Sequence, residues 1–361
     1  MSDSPDAETS RRKRLGFRKG LLVSLVVSVV IVTGTEIGFR MNGYAKGPAR
    51  YYDRNIGSRF HPNQTRTIDV RHGKALIELE LNAIGLRGPT PRKKAGKPRV
   101  ACIGDSFTFG WGVQGGETYP IALAEILADE PGFEQAEVVN FGIPGYNTWN
   151  ELQTYRHVVR PYNPDIVVIG FYPNDVKPDS GGTALDEYLA LRWLTRITPA
   201  LAEGLRKKFF AKMEVGKPHV PEATRDRLKQ WKKNQKAMIS NPSDPAWSEM
   251  WDTCMADLDT LVQEILADGA RPLIVAFPTP IQVTEFTASD AGQAESTGVT
   301  TELERLVQQH ARDSGAAFLT LLPDYGRSAT DPWGEFHRTH PSVHGYRISA
   351  ERIAQALGEL D

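Results

Sequence analysis

Four residues, each set just beyond an apolar run or ahead of a helical one, define the chemistry open to this chain. Ser106 follows Arg99-Val-Ala-Cys-Ile-Gly-Asp105. Gly145 follows the run Glu137–Asn140, Asn174 follows Asp165–Gly170, and His340 lies near the C-terminal end in His337-Arg-Thr-His340-Pro-Ser-Val-His344. Acyl transfer needs a nucleophile, a base for its proton, and donors aimed at the developing oxyanion. Ser106 has the hydroxyl, and a neutral imidazole at His340 has the basic nitrogen. The backbone N–H groups of Ser106 and Gly145 and the side-chain amide of Asn174 are donors of the right kind, glycine leaving the backbone open to close approach. A serine at a strand end also reads as a turn or helix cap. What favours the nucleophile is that the other three residues fall at the ends of the same kind of element.

Other motifs compete for attention. Gly110-Trp-Gly112-Val-Gln-Gly115 matches a dinucleotide-binding fingerprint, but it starts too far from its strand and Asn140, not an acid, ends the next one. His337, His340 and His344 have a spacing that could suggest zinc, yet Pro341 interrupts any helix that would align them. No metal and no cofactor are therefore expected. Asp105 and Asp175 read as braces for their loops. Cys102 and Cys254 read as free buried thiols, and His157 and His310 as solvent-facing helix residues.

The elements that must position these residues follow a strand–loop–helix rhythm from Pro98 onward. Short, nearly continuous apolar runs predict parallel strands at Arg99–Ile103, Glu137–Asn140, Asp165–Gly170, Pro272–Ala276 and Ala317–Leu321. Helical periodicity falls between them at Tyr119–Ala128, Thr148–Val159, Trp247–Asp268 and Thr301–Ser314, with a last helix at Val343–Leu357. The alternation predicts a three-layer α/β/α domain with a five-stranded parallel sheet. Residues 177–246 interrupt it as a helical insertion, with amphipathic stretches such as Glu187–Thr195 and the basic run Arg206–Lys208, read as leaning over the sheet's carboxyl edge. Gln282–Val299 reads as a polar loop. Upstream, Thr67–Val70 and Ala75–Leu81 read as strands of an edge hairpin, Asn82–Gly88 as a turn, and Pro89–Lys97 as a linker.

Gly-Asp-Ser after the first strand, a glycine after the second, Asn-Asp after the third and His-Pro near the end resemble the SGNH/GDSL hydrolase family over roughly Pro98–Asp361, the insertion apart. The resemblance implies a flavodoxin-like sheet, Ser106 as nucleophile, Gly145 and Asn174 in the oxyanion hole and His340 as base. The Asn82–Gly88 turn looks like the lead-in of membrane-anchored bacterial members. One position departs from the family pattern. An aspartate two or three residues before the histidine would orient the imidazole, and here Arg338 and His337 stand there. Asp331, Glu335 or a backbone carbonyl remain as partners for the ring.

The rest of the composition bounds location and partners. The chain has 361 residues, 40% hydrophobic and 24% charged, with a net charge of −1 that gives no reason to expect nucleic acid. Residues 1–10 are polar and read as disordered. Arg11, Arg12, Lys13, Arg14, Arg18 and Lys19 precede an uncharged apolar stretch, Gly20–Thr35, extendable to Phe39 if Glu36 reaches the outer headgroups. This predicts a cytoplasmic basic tail (1–19), a transmembrane signal-anchor helix (20–39), an extension and linker (40–97) and an extracytoplasmic domain (98–361), periplasmic or at the cell surface. Val32-Thr33-Gly34 offers a rival cleavage site without the usual alanine pair. The expected activity is hydrolysis of a small-molecule, glycan or lipid ester through an acyl-enzyme. The alternatives are an O-acyltransferase or deacetylase of envelope glycans using the same serine, and an inactive envelope-binding protein.

Overall fold

The structure is a computed structural model, and it describes residues 5–41, 50–53, 55–69, 76–92, 96–177, 198, 200–201, 222–289, 301–328, 330–333 and 340–360. The chain divides into two compact units. One comprises Met1–Tyr52 with Gly182–His219, the other Asp53–Gly181 with Val220–Asp361.

In the first unit a long helix, α1, runs Pro5–Phe39. It includes part of the tail expected to be disordered, because proline is well tolerated at a helix start and the residues after it propagate the helix without a breaker. Its apolar side chains from Leu21 to Val32 are exposed. Glu36 is not directed outward. It is 7% exposed, and its carboxylate accepts the backbone N–H groups of Ala200 (3.2 Å) and Leu201 (2.7 Å), while Arg40 Nε donates to it at 2.8 Å. Orphan amides at a helix start attract a carboxylate more strongly than solvent does when both are buried. The Glu187–Thr195 stretch and the Arg206–Lys208 run lie outside the described residues.

In the second unit the central sheet consists of β5 (Arg99–Gly104), β6 (Glu137–Asn140), β7 (Ile166–Phe171), β8 (Arg271–Ala276) and β9 (Ala317–Thr320). All pairings are parallel, in the order β6-β5-β7-β8-β9. β5 and β7 are buried along their whole length, as Val, Ile and Cys runs covered on both faces must be. This is a five-stranded parallel sheet of the kind that an α/β alternation builds. Strand order reverses at β5, so the ends of β5, β6 and β7 meet at the topological switch point where α/β sheets bind ligands.

The flanking helices fall close to the expected spans: α3 (Tyr119–Leu127), α4 (Thr148–Thr154), α6 (Ser248–Ala267), α8 (Glu302–Ser314) and α10 (Val343–Gly358). Thr148–Val159 is not one uniform helix. After Thr154 it widens into a π turn over Tyr155–Val159, and Pro161 then closes it as a 3-10 turn at Arg160–Tyr162. The segment expected as a polar loop from Gln282 begins instead inside a helix, α7 (Pro280–Ser289), whose Val283 and Phe286 are buried in the core. Further elements are α5 (Glu222–Ser240), a short α9 (Leu322–Arg327), and α2, described below. Upstream, β1 (Arg50–Asp53) and β2 (Gly57–Phe60) precede a hairpin of β3 (Gln64–Asp69) and β4 (Leu76–Leu81), antiparallel from Gln64↔Leu81 to Asp69↔Leu76.

Candidate active site

Strand β5 ends at Gly104 and the chain turns at once into α2 (Ser106–Phe109). Asp105 caps it, Oδ1 accepting the Phe107 N–H at 2.8 Å. Gly110, in the left-handed conformation, closes it. Ser106 therefore sits on the first residue of a tight strand-to-helix turn, 8% exposed. The helix can nest against the second strand's exit because residue 142 is glycine: a Cβ there would stand 2.4 Å from Phe109 N.

Ser106 Oγ lies 2.8 Å from His340 Nε2. With Nδ1 protonated, Nε2 accepts the serine proton, the arrangement a general base needs. The Phe107 ring lines the same place, with centroids 4.0 Å from Tyr172, 5.1 Å from His340 and 5.4 Å from Phe277. Such a wall keeps water from competing with substrate around the imidazole.

The expected oxyanion donors converge on the same edge. Asn174 lies in the 3-10 turn Pro173–Val176 directly after β7, and its Nδ2 donates to Asp105 Oδ2 at 2.9 Å. Gly145 is exposed at the turn after β6 with φ of 85°, and its N–H has no acceptor among the described residues. Asn147, which the sequence reading passed over, holds these two turns together. Its Oδ1 caps α4 at Asn150 N (3.0 Å) and its Nδ2 donates to Lys177 O at 2.7 Å. An asparagine ahead of a helical run is a cap signal that could have drawn attention to it.

On the base side, Trp333 and Pro341 form an antiparallel bridge, and Ser342 N donates to Pro332 O at 2.8 Å. Ser342 then caps α10 through Gly345 N at 3.1 Å. Asp331 turns its carboxylate to its own chain, Oδ1 accepting from Trp333 N at 3.0 Å, and among the described residues no hydrogen bond joins it to His340. Glu335 and His337 lie outside the described residues. His344 Nε2 is 3.0 Å from Ser328 Oγ. Far from the site, His157 is exposed, but His310 is only half-exposed, with Nδ1 3.0 Å from Asp259 Oδ2: helices α6 and α8 pack together, so the ring meets a carboxylate instead of solvent.

A second brace escaped sequence reading. Arg87, in the turn after β4, is 3% exposed, and its guanidinium donates to the carbonyls of Gly110 and Val113, 5.3 Å from the Phe109 ring centroid. It ties the upstream extension to the loop that follows Ser106. Burial pulls its pKa down to about 10, which still leaves it charged at neutral pH. Nothing local distinguishes this arginine, since its acceptors are backbone atoms remote in sequence. Phe60 adds to the contact by stacking on Phe109 at 5.5 Å.

Buried carboxyl groups lie under the site. Burial raises the pKa of Asp105, opposed by the Phe107 N–H and the Asn174 amide. Burial also pushes Glu151 and Asp175 well above the usual carboxylate range, with neighbouring acids adding to the shift. Neither Glu151 oxygen has a hydrogen-bond partner among the described residues, and burial without a partner favours its neutral form. Burial takes the Cys102 thiol up to about 12, consistent with an inert core residue.

Comparison with known proteins gives one family and several solved structures. Among the latter, the chain is similar to "Crystal Structure of TesA" (16% identity, TM-score 0.41, covering 72% of this chain and 98% of that one). It is also similar to a catalytic mutant of Axe2, an acetylxylan esterase from Geobacillus stearothermophilus (18%, 0.42, 74% and 97%). The acetyl xylan esterase AlAXEase is a third (16%, 0.40, 72% and 99%). No curated protein matches the chain in sequence. The family model of the GDSL-like Lipase/Acylhydrolase family matches residues 102–348, a span that begins in β5 and runs into α10. With the serine turn and the parallel sheet inside that span, the chain belongs to the GDSL-like lipase/acylhydrolase family and is an ester-hydrolysing enzyme.

Proposed function

We propose that this enzyme is a membrane-anchored, extracytoplasmic serine esterase working through an acyl-enzyme on Ser106. The observation that carries the reading is the 2.8 Å contact between Ser106 Oγ and His340 Nε2 at the switch point of the sheet. Ser106 Oγ attacks the ester carbonyl carbon as its proton passes to His340 Nε2. The carbonyl oxygen becomes an oxyanion facing the N–H groups of Ser106 and Gly145 and the Asn174 amide. Collapse of the tetrahedral intermediate breaks the bond to the alcohol, which leaves with the proton from His340. Water repeats the sequence and returns the acid and free Ser106.

The anchor reading is supported by Arg18–Phe39, a helix of 22 residues long and apolar enough to cross a membrane. It spans about 33 Å against a hydrocarbon core of about 30 Å. Basic residues ahead of it favour an inside N-terminus. Two experiments on the full chain test the proposal. A fluorophosphonate probe should label wild type but not Ser106→Ala, and equal labelling of both removes Ser106 as nucleophile. Alkaline carbonate should leave the chain in the membrane pellet, and added protease should digest it from intact spheroplasts. Release by carbonate, or full protection from protease, removes the anchored, outward-facing topology.

A further inference from the structure

We infer that Asp105 is a positioning residue whose carboxylate selects which end of the Asn174 amide faces the oxyanion. The inference rests on the esterase reading above. The two ends of an asparagine amide are nearly equal in size, but only Nδ2 donates hydrogen bonds. The Nδ2 end would stabilise an oxyanion, and Oδ1 in its place would repel one. Asn174 Nδ2 lies 2.9 Å from Asp105 Oδ2. Asp105 Oδ2 serves here as an acceptor, so it admits Nδ2 at that place and excludes Oδ1. Nδ2 carries two hydrogens, and with one given to Asp105 the other is left for the substrate.

Among the described residues no other hydrogen bond fixes the flip of the amide, because Asn174 Oδ1 has no partner there. Asp105 is itself held in place. It is fully buried, and its Oδ1 accepts the Phe107 N–H at 2.8 Å as the cap of α2. The two oxygens of one side chain thus set both the helix that bears Ser106 and the donor delivered from β7. Ser106 Oγ is 3.3 Å from Asp105 Oδ2 and 2.8 Å from His340 Nε2, so the shorter contact leaves the serine proton directed to the imidazole.

The test is a kinetic double-mutant cycle on the detergent-solubilised full chain with p-nitrophenyl acetate. Asp105→Ser keeps an oxygen to cap Phe107 N–H but cannot supply the carboxylate to Asn174. Asp105→Ser should lower kcat about 100-fold with KM changed less than about 3-fold, and Asn174→Ala should lower kcat about 100- to 1,000-fold. The double variant should fall no further than the weaker of the two, because both changes remove one donor. A multiplicative loss, or an unchanged kcat in Asp105→Ser, overturns the inference while wild type stays active and labelled by fluorophosphonate. A wild-type chain that is neither active nor labelled overturns the esterase reading and this inference with it.

A second measurement needs no folded Asp105 variant. With selective 15N-asparagine labelling, the Asn174 side-chain signals are those missing in Asn174→Ala. One of its two amide protons should exchange with solvent at least about 10-fold more slowly than the other. Equal, fast exchange of both overturns the inference.

Discussion

The turn at Ser106 is braced by side chains drawn from several elements, whereas the described contacts of the segment at His340 run through the backbone on either side of it. The nucleophile turn has its own cap in Asp105, a buried cation in Arg87 gripping the carbonyls of Gly110 and Val113, and Phe60 stacked on Phe109. His340 arrives on a segment pinned by the Trp333–Pro341 bridge and by the Ser342 cap of the last helix. Besides the Ser106–His340 contact, Tyr346 links the halves, its hydroxyl donating to Trp111 O at 3.2 Å. The difference teaches that Ser106 is set by the local turn it sits in, while His340 is brought to it by contacts between distant segments. Changes on the two sides should therefore fail differently.

The largest effects should come from the reacting groups themselves. Ser106→Ala and His340→Ala should each lower kcat/KM by about 10⁴-fold or more with unfolding temperatures close to wild type, measured by ester turnover and thermal melts. If His340→Ala retains more than a tenth of the activity, the base half does not act as described. Arg87→Met comes next, as a break in the nucleophile brace. It strands buried carbonyls and should cost about 3 kcal/mol, or roughly 6–12 °C in a thermal melt. Unchanged stability would show that Arg87 does not hold the turn.

A pH effect should follow from the buried acids. The folded-state pKa of Glu151 is raised by burial, so folding binds the proton more tightly than the unfolded chain does. That contribution is complete below the ordinary carboxylate pKa and fades as pH rises toward the raised value; Asp175 has the same sign. The unfolding temperature should fall on going from pH 5 to pH 8, and Glu151→Gln should flatten the decline. A variant with the wild-type slope would place the titration elsewhere. The smallest effect should be at Asp331. Asparagine can still accept from Trp333 N, so Asp331→Asn should change kcat/KM by less than about 3-fold. A loss near 100-fold would instead make Asp331 the partner that orients the imidazole.

Much of this frame was legible in sequence, for identifiable reasons. Strands such as Ile166–Phe171 announce themselves because a parallel strand covered on both faces must be continuously apolar. The positions of Ser106, Gly145 and Asn174 beyond the sheet edge were readable because each follows such a run where the sheet must end. The braces were not readable. Arg87 acquires meaning only when Gly110 and Val113 are folded against it, and Asn174's relation to Asp105 crosses from one strand end to another. The α7 helix was missed because the polar character of the stretch after Gln282 outweighed the buried spacing of Val283 and Phe286. Glu36 was misjudged because an acid at the end of an apolar stretch suggests solvent, and its amide partners are remote in sequence.

That glutamate has a practical bearing on how the protein is produced. A water-soluble version is most simply made by deleting the apolar helix, and a cut after Arg40 would remove Glu36 with it. The amides of Ala200 and Leu201 would then lose their acceptor, at about 1–3 kcal/mol for each group that stays buried. The segment Gly182–His219 would also lose the N-terminal half of its own compact unit. Fragments lacking α1 should therefore unfold at a lower temperature than the full chain in detergent.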